Sequence, residues 1–178
     1  MAWFGKKKKK DEFDPLHDLV LSKLKVGYLV EYDMKTWEVT EYNSYDWEDG
    51  DHSYEWEIKS GDDVLYLELE DDDEPEWTLT SKIPLKSVGR GIRSHIKEND
   101  DPPNMIQYDG VEYTIDESNA GYFCKGGEKE RIELICWDYY DLSEEKTLTI
   151  EQWGEDKFEA AVGIYVEEYQ FTNILPGS

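Results

Sequence analysis

The sequence predicts a mainly β fold: two tandem copies of a small antiparallel meander unit, SH3-like or curved-barrel in type, each of five to six strands, with one short N-terminal helix. Three observations predict it. The first is an internal repeat. Val30-Glu31-Tyr32-Asp33 returns as Ile106-Gln107-Tyr108-Asp109, Trp37-Glu38-Val39 as Tyr113-Thr114-Ile115, and Trp56-Glu57-Ile58 as Ile132-Glu133-Leu134, each 76 residues on. After an insertion of five the offset becomes 81, where Leu67-Glu68-Leu69-Glu70 returns as Leu148-Thr149-Ile150-Glu151, Trp77 as Phe158 and Ile83 as Ile164. A period of this size marks a duplicated supersecondary unit. The second is alternation: Trp37, Val39, Trp56, Ile58, Leu65, Leu67, Leu69, Trp77 and Leu79 are interleaved with polar residues, the pattern of a meander with one buried face. The third is an aromatic content of 14%, which supplies core area to small units and argues against disorder.

Residues 1–13 read as a flexible aromatic and polybasic tail. Asp14 followed by Pro15 is a helix start, N-cap then first helical position. Leu16, Leu19, Val20 and Leu24 follow at helical spacing and Gly27 stops the run, so a short helix is expected over 14–26. The first repeat spans 27–88, with strands at 28–32, 36–42, 53–59, 64–70 and 76–82 separated by Asp- and Gly-rich turns. A linker over 89–104 carries Gly89, Gly91, Pro102 and Pro103. The second repeat, 105–175, has strands near 105–108, 111–116, 120–125, 130–139, 146–152 and 157–171, with Asp109-Gly110 as a strong hairpin turn. This phasing places Trp37, Trp56, Leu67, Trp77, Tyr113, Leu134, Ile150 and Phe158 in the core. Cys124 and Cys136 fall too far apart along their hairpin for a disulfide, so both read as reduced strand residues.

Charge narrows the function classes. The formal net charge is -24, and five of the 19 basic residues are Lys6, Lys7, Lys8, Lys9 and Lys10. The rest of the chain therefore sets 14 basic residues against 43 acidic ones. Such a body repels nucleic acid and attracts cations or basic partners. No apolar run reaches the ~20 residues of a membrane span and no secretory segment opens the chain, so a cytoplasmic placement is expected. His17, His52 and His95 lack metal-ligand spacing. No nucleophile elbow appears, and Gly89-Arg90-Gly91 is too short for a phosphate loop. No cofactor and no metal are expected. Among 43 carboxylates no catalytic pair stands out, which leaves a carboxylate-based enzyme as the third reading.

Three groups of candidate contact residues remain. Asp46, Trp47, Glu48, Asp49, Asp71, Asp72 and Asp73 combine acid with an aromatic face, the chemistry of small-cation binding. Arg90, Arg93 and Lys97, at helical spacing in the linker, are candidates for contact with an anion. Trp3 and Phe4 ahead of Lys6 to Lys10 form an interfacial signature, aromatics to insert and lysines to face anionic headgroups.

The stretch Leu24-Lys25-Val26-Gly27-Tyr28-Leu29-Val30-Glu31-Tyr32-Asp33, followed by Thr36-Trp37-Glu38-Val39, resembles the bacterial family called domain of unknown function 4178 (DUF4178). Glu112-Tyr113 and the Trp56 strand extend the resemblance, which covers residues 24–172. It implies no catalytic residues. It does imply gene neighbours of the phage-shock envelope-stress type and polyamine aminopropyltransferase-like enzymes.

The expected function is a non-enzymatic bacterial interaction module, peripheral at the inner membrane through its tail and linked to envelope stress, with an unknown basic protein as partner. The alternative is a binder of small cations such as polyamines through an acidic aromatic surface. A concave acidic pocket ringed by Trp and Tyr favours the alternative; a flat surface favours the module. Each tail lysine near an anionic surface contributes about 1 kcal/mol. The protein is therefore expected to sediment with anionic but not neutral vesicles, to be released by salt, and to lose this on deletion of residues 1–10. Equal sedimentation of full-length and truncated protein would remove the membrane reading.

Overall fold

The computed structural model describes residues 14–48, 50–71 and 74–177. A single helical turn, α1 (Pro15–Asp18), and a 3₁₀ turn over Leu21–Lys23 precede the strands. The longer helix expected over 14–26 does not form. The backbone is already extended at Val20, whose φ of -113° and ψ of 155° break the run. The first half of the sheet comprises β1 (Leu29–Tyr32), β2 (Lys35–Trp47), β3 (His52–Ser60), β4 (Asp63–Glu70) and β5 (Glu76–Ile83). Two helices follow, α2 (Leu85–Val88) and α3 (Ile92–Asn99), inside what reads in the sequence as linker. The second half comprises β6 (Met105–Tyr108), β7 (Val111–Lys125), β8 (Ile132–Asp141), β9 (Lys146–Gln152) and β10 (Phe158–Val166), and β11 (Thr172–Leu175) closes the chain. The expected strands 111–116 and 120–125 are one strand, and the expected strand 157–171 is broken after Val166 by a 3₁₀ turn over Glu168–Gln170.

The mainly β class with a short helix is what forms. The tandem architecture is corrected: the two halves are not separate meanders. β2 pairs antiparallel with β7, and β5 with β10, so β2-β3-β4-β5-β10-β9-β8-β7 is one closed eight-stranded barrel. The seams pair β5 with β10 and the C-terminal part of β2 with β7, so backbone groups that each half alone would leave unpaired on these four strands find partners. β1 and β11 extend the sheet from β2, and β6 extends it from β7.

Glycines permit the closure at both seams. Gly121 in β7 lies opposite Trp47 in β2, where a Cβ would stand 2.6 Å from Trp47 Cε3 and 2.8 Å from the Asp46 carbonyl. Gly163 in β10 lies opposite Thr80 in β5, where a Cβ would stand 2.6 Å from Thr80 Cγ2 and 2.8 Å from the Leu79 carbonyl.

The repeat persists in the register. Val30 faces Trp37 across the β1–β2 hairpin as Ile106 faces Tyr113 across β6–β7. The two-residue turns between them, Asp33-Met34 and Asp109-Gly110, all have positive φ, as type I′ hairpins require. A bulge lies between Val39 and Glu41 and again between Ile115 and Glu117. Beyond it Tyr42 faces Trp56, and Ser118 faces Trp137. Trp56 therefore corresponds to Trp137 and not to Ile132, which is 42% exposed. The five-residue insertion sits in the β7–β8 hairpin, earlier than the sequence match suggests. Trp56 faces Leu67 and Trp137 faces Ile150, so Ile150 is the equivalent of Leu67, two residues beyond the sequence match. Trp77 faces Leu69 as Phe158 faces Gln152, which restores the equivalence of Trp77 and Phe158.

The expected core is buried throughout. Trp37, Trp56, Leu67, Trp77, Tyr113, Leu134, Ile150 and Phe158 are all at most 8% exposed. The apolar residues form two clusters on the outside of the barrel wall. Leu21, Leu24, Val30 and Phe171 cover the first, around Trp56, Leu67 and Trp77. Val88, Ile92, Ile96 and Ile106 cover the second, around Trp137, Tyr139 and Ile150. By alternation, the polar face of each strand points into the barrel.

Urea unfolding tests this wall. Gly121→Ala and Gly163→Ala are expected to destabilise by about 1–3 kcal/mol each through overpacking, and Trp137→Ala by about 3–5 kcal/mol. Ile132→Ala is expected to change stability by less than about 0.5 kcal/mol, as exposed positions do. A larger loss at Ile132 than at Trp137 would refute the revised register.

Candidate functional site

All eight barrel strands contribute to one cavity of about 280 Å³, lined by Tyr45 and Trp47 of β2, Ser53 of β3, Glu68 and Glu70 of β4, Thr78 and Thr80 of β5, Tyr165 of β10, Thr149 and Glu151 of β9, Cys136, Asp138 and Tyr140 of β8, and Asn119 of β7. A cavity that touches every strand of a closed barrel is its lumen. A smaller chamber of about 40 Å³ shares Glu68, Thr80, Thr149 and Glu151 with it and continues to Glu55, Tyr66, Lys82 and Glu159.

The lumen carries acid with little compensating base. Glu55 and Glu68 stand directly opposite each other on β3 and β4. Glu55 accepts hydrogen bonds from Asn43 Nδ2 at 3.0 Å and from the Tyr45 hydroxyl at 3.2 Å. Glu68 is bonded by Ser53. Asp138 accepts from Thr149 Oγ1 at 3.0 Å, with Cys136 Sγ 3.5 Å away, and Glu151 accepts from Trp153 Nε1 at 3.2 Å. Lys82 is the one lysine or arginine among the described residues that line either chamber. Its Nζ lies 2.7 Å from Glu159 Oε2 and 4.9 Å from the Tyr66 ring centroid.

Enclosure shifts the titration of these groups, because burial disfavours the charged form and the neighbouring carboxylates repel. Burial holds Glu68 well above the usual carboxylate range, reinforced by Glu55 and Glu70. Burial and the charge of Glu55 push Glu151 up to about 8 against the relief given by Lys82. Burial raises Asp138 to about 6, although Thr149 and Cys136 stabilise its ionised form. Glu55 is raised by burial as well, opposed by its bonds from Asn43 and Tyr45. For Lys82 burial acts downward, but the bond and charge of Glu159 outweigh it and the ammonium is raised. Burial thus raises all four luminal carboxyls together.

Aromatic pairs form part of the wall. Tyr45 and Trp47 stack with centroids 5.4 Å apart at 5°, and Tyr140 and Tyr165 at 6.1 Å and 14°. Their faces suit an alkylammonium, which they contact through both its charge and its methylenes. Among the described residues no group of three or more His, Cys, Asp or Glu is placed to hold a metal ion. The carboxylates are instead distributed along the lumen.

The residues singled out in the sequence fall in several places. Trp47, Glu48 and Asp71 line the cavity. Asp46 does not: it pairs with Arg131, and His52 Nδ1 lies 3.6 Å from it, in a groove with Tyr54 and Cys124. Asp49, Asp72 and Asp73 lie outside the described residues, as do Trp3, Phe4 and Lys6 to Lys10. Arg93 stacks on Phe158 at 5.5 Å, Lys97 pairs with Asp156, and Arg90 is exposed in the turn before α3. The sequence does not mark Glu55, Glu68, Asp138 and Glu151, because on alternating strands they read as solvent-facing. A signal was present: Glu55 and Glu68 fall opposite each other in the predicted β3–β4 hairpin, and like charges so placed repel on an open face.

The sequence pattern of the family described as "Domain of unknown function (DUF4178)" matches residues 25–168. A protein of Aquifex aeolicus (strain VF5) that carries the name "Uncharacterized protein" is 28% identical over 173 residues, covering 97% of this chain and 94% of that one. No solved structure matches. The match over most of its length shows that this chain belongs to the DUF4178 family.

Proposed function

We propose that this protein binds a small organic cation of the alkylammonium or polyamine type inside its barrel. The observation that carries the reading is a closed-barrel cavity with Glu68, Asp138 and Glu151 in its wall and, among the described residues, Lys82 as the one lining lysine or arginine. It is concave, acidic and aromatic, the three properties by which the sequence separates a cation binder from a flat interaction surface. Its volume lies near the lower limit of small-molecule pockets, and its distributed carboxylates suit an extended ligand better than a point charge. The interaction-module reading, with its membrane tether, rests on the tail and draws no support from the lumen.

Isothermal titration with spermidine, with 1,4-diaminobutane, and with magnesium and a neutral diol as controls, tests the proposal. Both amines are expected to bind saturably and the controls not. Glu151→Gln and Glu68→Gln are expected to weaken binding about tenfold or more, the loss of one charge-assisted hydrogen bond. Affinity should rise between pH 6 and 8.5 as Asp138 and Glu151 ionise. No saturable amine binding, or equal binding by magnesium, would defeat the reading.

Stability without ligand carries the complementary signature. The folded-state pKa of Glu151 is raised from 4.5 to about 8. Between those values the unfolded chain has lost a proton that the fold retains. The stabilising contribution is therefore complete below about 4.5 and is lost as pH rises through about 8, by up to about 1.4 kcal/mol per pH unit for one such group. Urea unfolding across this range should show a falling stability whose slope is reduced in Glu151→Gln. An unchanged slope in the variant would contradict the buried proton.

A further inference from the structure

We propose that Lys82 sets the length of the cation the lumen accepts, by seating its own ammonium at the lower end where the terminal ammonium of a longer ligand would otherwise lie. The inference rests on the cation-binding reading. The smaller chamber shares Glu68 and Glu151 with the main cavity, and Lys82 lines it. The Lys82 side chain is half-exposed, so it stands between this chamber and solvent. Its ammonium has a carboxylate at 2.7 Å and an aromatic face at 4.9 Å, the two components of an ammonium-binding site.

Glu55 is held in place from behind. Asn43, 3% exposed and lining neither chamber, donates Nδ2 to Glu55 at 3.0 Å, and Tyr45 donates its hydroxyl at 3.2 Å, so the Glu55 carboxyl is fixed in the wall of the smaller chamber. The ligand these features describe is an unbranched α,ω-diammonium. One end is held by Glu68 and Glu151 beside Glu55, its methylenes run along the aromatic wall, and the other end lies at the acidic mouth. Lys82 stops it from passing deeper.

The test is calorimetric titration of the full chain with the unbranched diamines from ethylenediamine to diaminooctane. Wild type should show an affinity optimum at one length and a loss of about tenfold or more for chains several methylenes longer. Lys82→Thr, which matches the neighbouring Thr78 and Thr80 on β5 and suits a strand, should move the optimum to longer chains by about four methylenes, the stem it removes. Lys82→Met keeps the stem and removes the charge. It should tighten binding at all lengths and leave the optimum in place. An optimum unchanged in Lys82→Thr, affinity independent of length in wild type, or a Lys82→Met optimum shifted as far as that of Lys82→Thr would overturn the role of Lys82 while leaving the cation site standing. Absence of binding by any diamine in wild type would overturn both.

Discussion

The hydrogen bonds of β2 to β7 and of β5 to β10 close the sheet, and closure decides where every polar side chain on eight strands must go. Each half of the chain carries its large apolar residues on one strand face, and those faces are covered from outside by the helices and the short strands β1, β6 and β11. The opposite faces then look at each other across the lumen. In an open meander Glu55, Glu68 and Glu151 would be solvated surface. In the closed barrel they share one enclosed space. Gly121 and Gly163 let the backbones approach at the seams, and neither position tolerates a Cβ without movement of its neighbours.

That arrangement costs stability, since buried carboxyls lose hydration and repel when ionised. A fold selected for stability alone would fill this lumen with apolar side chains, as small barrels commonly do. Retained acid in a cavity, with the half-exposed Lys82 as its lining lysine, is the kind of local conflict that functional sites carry. The raised carboxyls and the Lys82–Glu159 pair are two responses to the same excess: protons neutralise part of it and the tethered cation another part.

The sequence made the strands and the core legible because both depend on local alternation. Alternation places Trp37, Trp56, Trp77 and Phe158 in the core, where they are buried, and Asp109-Gly110 is readable as a hairpin from its turn chemistry. The equivalence of Trp56 and Trp137 is not, because the 76-residue offset also matches Trp56-Glu57-Ile58 to Ile132-Glu133-Leu134, and the change to an offset of 81 falls earlier, in the β7–β8 hairpin. Closure was not legible either. It depends on edge strands nearly eighty residues apart, and the repeat made separate units the simpler solution. The site was half visible: Trp47, Glu48 and Asp71 marked its mouth, while Glu68, Asp138 and Glu151 were hidden by a pattern that also describes a solvent face. Conspicuous acidic runs drew attention to loops, and at Asp46 the acid is matched by Arg131.

Enclosure of the luminal carboxyls is what a cation site in this barrel requires. Carbon-13 NMR titration of the side-chain carboxyls, with Glu151 and Asp138 assigned through their amide variants, measures this directly. The account predicts midpoints near 8 for Glu151 and near 6 for Asp138 in the free protein, both falling toward the ordinary range when spermidine is bound. Ordinary midpoints near 4 for both groups in the free protein would show a lumen open to bulk water and contradict it.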